Sequence, residues 1–197
     1  DEYDHEIRYN DAQLGRLLSV LTQVEREQPL LVFLTSDHGE LFYKRRRLHG
    51  TGLQEPMVRV PLFIRGPGFE PGTTDRLVSL VDLAPTILSA TQTPSGQAMD
   101  GADLRALLAK PPARRVLFTE TWRFNRHKRP VKDMVGAFNG QQMLVRDRVR
   151  NVTWLFDQRD TAQKQKNRFK PGAAPHLRAA LQRYLAQTRG GKVDLRD

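Results

Sequence analysis

The chain has 197 residues, 32 Lys and Arg against 22 Asp and Glu, a formal charge of +10, and no cysteine. That length supports a packed core, and 39% apolar with 27% charged residues excludes a disordered tail. No run approaches the length of a membrane helix, and the lack of Cys excludes disulfides, thiolate zinc sites and a cysteine nucleophile within these residues.

The charge is uneven. Residues 1–100 carry 10 basic and 14 acidic side chains, and residues 101–197 carry 22 and 8. Such asymmetry predicts two regions with different jobs. Ile7, Leu14, Leu17, Leu18, Leu21 and Val24 recur at helical spacing and predict a first helix that stops before Pro29. Leu30–Thr35 is a continuous apolar run, which predicts a strand buried on both faces of a parallel α/β sheet. It gives way to Ser36, Asp37, His38, Gly39 and Glu40, and ligands of open α/β sheets sit at the carboxyl ends of strands. Residues 41–55 lack a clean period and predict a loop containing the basic run Lys44-Arg45-Arg46-Arg47. Val60–Ile64 and Leu77–Val81 predict two more strands. Asp82 then predicts a helix cap with Pro85 in the first turn. A short helix is expected near Asp103, carrying Leu104, Leu107 and Leu108.

Lys110-Pro111-Pro112 marks a boundary between an α/β region (1–110) and a basic subdomain (114–197). Beyond it Val116–Thr121, Met134–Phe138, Gln141–Val145 and Val149–Phe156 predict strands, and Asn139-Gly140 predicts a hairpin turn. Residues 157–172 are polar and predict a loop. Leu177, Leu181, Tyr184 and Leu185 share one face of a terminal helix that frays by Gly190-Gly191.

Asp37-His38 sets a hard oxygen beside an imidazole, and a tight turn through Gly39 converges both on one ion. The plainer alternative is a cap residue followed by a surface His. His49 lies eleven residues on, and Gly50 after it permits close backbone approach to a bound group. It is an anion contact, a second metal ligand, or a surface residue. The Lys44–Arg47 run is a solvated face or a device that concentrates an anionic substrate.

After the opening helix come LLVFLTSDHGE, HGTGLQEPMVRVPLFIRGPG, LVSLVDLAPTIL and MDGADLRALL, in that order. These blocks resemble the C-terminal half of a sulfatase, in the alkaline-phosphatase superfamily. WLFDQRDTAQKQKN is similar to that family's LYDLxxDPxExxN turn, without its Asp-Pro and Glu, and LRAALQRYL to its terminal helix. The resemblance covers most of residues 3–185. It implies the rear part of an alkaline-phosphatase-like mixed or parallel sheet flanked by helices. A small α+β subdomain with an antiparallel sheet and a C-terminal helix would follow.

The resemblance also implies one divalent cation, most often Ca2+, with Mg2+ or Mn2+ as alternatives, held by four side chains. Asp37 and His38 match the second pair of those ligands. His49 matches the Lys or His of the K/H-G-T element, which contacts the sulfate group and would stabilise charge or protonate the leaving oxygen. Glu55 matches a Glu of the family, and Glu55, Arg59 and Asp82 are expected to be structural. The family's nucleophile is a formylglycine made in a C/S-x-P-S/A-R motif, and an early Asp-Asp pair supplies the remaining ligands. Neither occurs in these residues, so the chain is expected to be the rear part of an enzyme, inactive alone. The implied substrate is an anionic sulfate ester, with no nucleic acid; the location is left open by the sequence, and the resemblance favours one outside the cytoplasm, where most but not all members act.

Other readings stay open: a phosphate or phosphonate ester hydrolase or phosphotransferase of the same superfamily, a pseudoenzyme, or a non-catalytic anion- or nucleic-acid-binding module. Against the last, the basic residues are spread through strands and loops, and only Trp122, Phe124 and Trp154 offer stacking rings.

Overall fold

A computed structural model of the chain describes residues 2–43, 46–160 and 166–189. In chain order the elements are α1 (Glu2–Val24), β1 (Val32–Thr35), β2 (Leu41–Tyr43), β3 (Arg46–Leu48), α2 (Glu55–Val58) and β4 (Leu62–Arg65). A 3-10 turn (Leu80–Asp82), α3 (Leu83–Ala90) and α4 (Leu104–Ala109) follow. Then come β5 (Leu117–Phe124), β6 (Pro130–Phe138), β7 (Gln142–Asp147), β8 (Val152–Asp157) and α5 (Pro175–Arg189). They form two compact units, Asp1–Ser36 with Pro61–Thr73, and Asp37–Val60 with Thr74–Asp197. No helix among the described residues is long and apolar enough to cross a membrane.

In the first unit, Leu14, Leu18, Leu21 and Val24 make a half-buried stripe on α1 at i, i+4, i+7 spacing. β1 pairs antiparallel with β4, from Val32 opposite Arg65 to Thr35 opposite Leu62. The expectation of a parallel strand buried on both faces fails at this pair, and β1 is half-buried throughout. The physical reason lies in the connection. A parallel partner is usually reached through a crossover helix, and the connection from β1 to β4 holds only the short strands β2 and β3 and the four-residue α2. Gly66 closes β4 with φ +140°, and a Cβ there would lie 2.3 Å from the Leu30 carbonyl oxygen, so only glycine fits.

The second unit is built on an antiparallel sheet in the order β5-β6-β7-β8. Asn139-Gly140 turns β6 into β7 as predicted. Gly140 adopts φ +96°, and Asn139 Oδ1 accepts from the Gln141 and Gln142 amides at 3.0 and 2.8 Å. Alternation along the strands gives the sheet two apolar faces. Val135, Ala137, Leu144 and Leu155 meet Leu177, Leu181 and Leu185 of α5, and all are buried. On the opposite face Met143 and Val145 pack with Leu53, which arrives from the segment before α2.

Three further expectations are corrected. Residues 41–55 are not a loop: β2 and β3 pair as a hairpin, Leu41 opposite Leu48, and α2 begins at Glu55. Lys44 and Arg45 lie outside the described residues, as do Gly190 and Gly191. Leu77–Val81 is not a strand. Asp82 Oδ2 accepts the Ser79 amide at 2.8 Å, which winds a 3-10 turn and leaves Leu80 and Val81 exposed. The last strand starts at Val152 rather than Val149, because Asp147 Oδ1 accepts the Val149 and Arg150 amides at 2.9 Å and holds a turn there.

Asp82 occupies the N-cap position of α3, but its side chain makes no capping bond to that helix. Fully buried, its Oδ1 also accepts from the Ala102 amide at 2.9 Å and Arg115 Nη2 at 2.5 Å. Thr86 Oγ1 donates to the Asp82 carbonyl at 2.6 Å and accepts the Leu104 amide at 2.9 Å, which joins α3 to α4. A short helix starts at Asp103 as expected, and Asp103 Oδ1 caps it by accepting the Arg105 amide at 2.9 Å.

Candidate functional site

Asp37, His38, Gly39 and Glu40 precede β2, and His49 follows β3. The hairpin register explains their meeting. With Leu41 opposite Leu48, the next residues outward are Glu40 and His49. The Glu40 carboxylate indeed contacts His49 Nδ1. Gly39 is required by close packing. Its amide donates to the Met57 carbonyl at 2.9 Å, and a Cβ on it would lie 2.2 Å from the Pro56 carbonyl oxygen.

His38 and His49 stack, ring centroids 4.5 Å apart and planes 25° off parallel. His38 Nδ1 lies 3.0 Å from the Gly39 carbonyl oxygen. That contact is attractive only as Nδ1–H donating, which puts the lone pair on Nε2. Nε2 sits 3.7 Å from Asp37 Oδ2. Asp37 is 85% exposed, and its Oδ1 accepts the His38 amide at 2.9 Å. Ligand atoms of His38, Glu40 and His49 all lie within 4.8 Å of one another. His38 and His49 are therefore brought together, while Asp37 lies outside that group of three, its Oδ2 3.7 Å from His38 Nε2. Glu40 is the residue that sequence reasoning missed, and the signal for it is the hairpin register.

The loop that carries His49 is held by the sheet. Leu53 is 3% exposed and lies over Gly136, Met143 and Val145. Thr121 Oγ1 donates to the Gly50 carbonyl at 3.1 Å, and Lys132 Nζ donates to the Thr51 carbonyl. Glu55 pairs with Arg59 at 3.1 Å, so both act within α2 and its cap. A cavity of about 500 Å³ elsewhere in this unit, lined by Arg76, Leu107, Arg115 and His176 among others, includes none of Asp37, His38, Glu40 or His49.

Comparison with known proteins gives this geometry a context. The sulfatase family matches residues 1–93. Residues 1–93 belong to the sulfatase family. Human arylsulfatase K is 37% identical over 98 residues, 49% of this chain and 18% of that protein. An uncharacterised sulfatase of Escherichia coli K12, YidJ, is 31% identical over 147 residues, 74% of this chain and 28% of that protein. The chain thus spans about a fifth to under a third of these curated relatives. Among solved structures, a protein in complex with its substrate D-glucosamine-2-N,6-O-disulfate has a TM-score of 0.69 at 22% identity, covering 91% of this chain and 38% of that one. A phosphonate monoester hydrolase from Silicibacter pomeroyi has a TM-score of 0.72 at 24% identity, covering 93% and 39%. These likenesses are of fold, and the fold is the alkaline-phosphatase-like α/β arrangement with antiparallel sheets and flanking helices.

Proposed function

We propose that these residues are part of a metal-dependent sulfate ester hydrolase, with Asp37 and His38 as cation ligands and His49 as the sulfate contact. The observation that carries this is the meeting of His38, Glu40 and His49, with Asp37 Oδ2 3.7 Å from His38 Nε2, within the segment matched by the sulfatase family. The donor set fits a divalent cation. Two ligands bound at about 2.0–2.6 Å to one ion lie roughly 3–5 Å apart, and Asp37 Oδ2 and His38 Nε2 are separated by 3.7 Å. When bound, the cation supplies Lewis-acid polarisation of the sulfate oxygens. The finer assignment is Ca2+, on the strength of the sulfatase relationship.

The protein's own side chains do the rest. Gly39 carbonyl fixes the His38 tautomer and aims its Nε2 lone pair toward the Asp37 side. Glu40 engages His49 Nδ1, so His49 Nε2 is the atom that meets the ester, stabilising charge on sulfate or protonating the leaving oxygen. No serine here stands in a C/S-x-P-S/A-R context, so no nucleophile is assigned to these residues. Residues 1–110 are assigned to the catalytic α/β part and 114–197 to a basic subdomain that supports it.

Phosphonate or phosphate ester hydrolysis is the second reading, favoured by the fold likeness to a phosphonate monoester hydrolase. A turnover screen of the full-length protein on p-nitrophenyl sulfate, p-nitrophenyl phosphate and p-nitrophenyl phenylphosphonate separates them. Faster turnover of the sulfate is expected. Turnover of the phosphonate or phosphate alone would overturn the sulfatase assignment.

A further inference from the structure

Residues 125–129 join β5 to β6 in a well-bonded turn. Asn125 Oδ1 accepts the His127 and Arg129 amides at 2.9 and 3.0 Å, and the Asn125 amide donates to the Arg129 carbonyl at 2.9 Å. The hairpin end is therefore a formed element, and its side chains are presented from a fixed backbone.

Those side chains are apolar and basic together. Residues 122–131 are all exposed. Trp122 is 58% exposed and Phe124 55%, and two residues apart on β5 they leave the strand on one side. Val131, passed over where Arg123 pairs with Lys132 and Phe124 with Pro130, is 43% exposed. A single exposed apolar residue is ordinary, but three at one hairpin end mark an interaction surface. Arg123, Arg126, Lys128, Arg129 and Lys132 are interleaved with them, and no Asp or Glu occurs between Glu120 and Asp133. Asp133 itself faces Arg148 at 3.6 Å.

Cations alone suit any polyanion. Two rings and an aliphatic side chain set among Lys and Arg suit a partner that is anionic at its surface and apolar just beneath. Base stacking uses only the rings and gains nothing from Val131. Laid on the side that carries Trp122 and Phe124, the hairpin sets both rings at headgroup level, where aromatic rings are favoured. The long Lys and Arg stems let their charges reach lipid phosphates.

We propose that the β5–β6 hairpin end is a peripheral docking surface for an anionic lipid bilayer. Trp122, Phe124 and Val131 enter the headgroup layer, and Arg126, Lys128 and Arg129 pair with the acidic headgroups. The protein lies on the membrane through this hairpin, an attachment separate from any spanning helix. The inference is independent of which ester the protein cleaves.

The test is cosedimentation of the full-length protein with large unilamellar vesicles at physiological ionic strength. Vesicles of phosphatidylserine and phosphatidylcholine at a roughly 3:7 ratio should carry the protein down, and phosphatidylcholine alone should bind it far more weakly. Arg126→Ala/Lys128→Ala/Arg129→Ala should lower the partition coefficient on the anionic vesicles roughly 100-fold. Trp122→Thr/Phe124→Thr, which keeps strand propensity, should lower it roughly tenfold or more, with an unchanged thermal unfolding midpoint. Failure of the wild type to sediment with anionic vesicles overturns the proposal. Wild-type partition of the threonine variant also overturns it, because the face would then be a general polyanion surface. Tighter binding of the wild type to a duplex DNA oligonucleotide than to the anionic vesicles, lost in both variants, assigns the face to nucleic acid and overturns the bilayer. Should the double threonine variant fail to fold, Phe124→Thr alone, next to the turn, is read in the same way.

Discussion

Leu53→Ala measures how strongly the four-stranded sheet holds the His49 loop. Leu53 is 3% exposed, packed with Met143 and Val145, and its Cδ1 lies where a Cβ on Gly136 would be only 3.2 Å away. Leu→Ala changes in cores cost about 2–5 kcal/mol, more where the surroundings cannot collapse. Gly136 has no side chain to move into the gap, and Thr119 and Met143 already line it. A loss of about 3–4 kcal/mol is therefore expected, a large share of the roughly 5–15 kcal/mol that holds a domain. Urea unfolding of the full-length protein, followed by tryptophan fluorescence, reads it, since Trp154 packs on the same cluster. Leu53→Met conserves volume and should cost less than about 1.5 kcal/mol. A loss under about 1 kcal/mol for Leu53→Ala, at unchanged m-value, would refute the anchoring role.

Three other outcomes are expected. Asp82→Ala strands the Arg115 guanidinium and two backbone amides, and should cost about 3–5 kcal/mol in thermal unfolding; a loss below about 1 kcal/mol contradicts the network. The Arg159 guanidinium holds the Asp157 carboxyl well below the usual carboxylate range, and Arg168 lowers Asp160 likewise. Their stabilisation is thus complete above about pH 4 and lost as pH falls through the folded-state pKa values. Arg159→Ala should accordingly move the acid-unfolding midpoint, read by circular dichroism, to higher pH, and an unmoved midpoint counts against the pairing. Glu40→Gln loosens the hold on His49 Nδ1 and should lower sulfate ester turnover roughly 10–100-fold; wild-type turnover would remove Glu40 from the site.

What was legible in the sequence followed local chemistry. Asn139-Gly140 announced its hairpin because the turn needs positive φ at that point. Leu177, Leu181 and Leu185 announced the buried face of α5 through spacing alone. Asp103 announced its helix through its own side chain. What was not legible depended on partners distant in sequence. The antiparallel partner of β1 comes thirty residues later, and no local pattern specifies it. Leu77–Val81 has strand-like residues, yet Ser79 and Asp82 bend it into a 3-10 turn. The strands of the β2–β3 hairpin have only three residues each, too few for alternation to announce them.

The candidate site divides in the same way. Asp37, His38 and His49 stand in motifs and were singled out from the chain alone. Glu40 needed the hairpin register. Thr121 and Lys132 contact the loop across 71 and 81 residues of sequence, a distance no motif spans.

The most direct test of the central assignment is metal content. The full-length protein, stripped with chelator and reloaded with Ca2+, should retain one tightly bound cation by elemental analysis. Asp37→Ala and His38→Ala should each lose it and, with it, sulfate ester turnover. Retention of the cation at wild-type stoichiometry in both variants would contradict the assignment of Asp37 and His38 as its ligands.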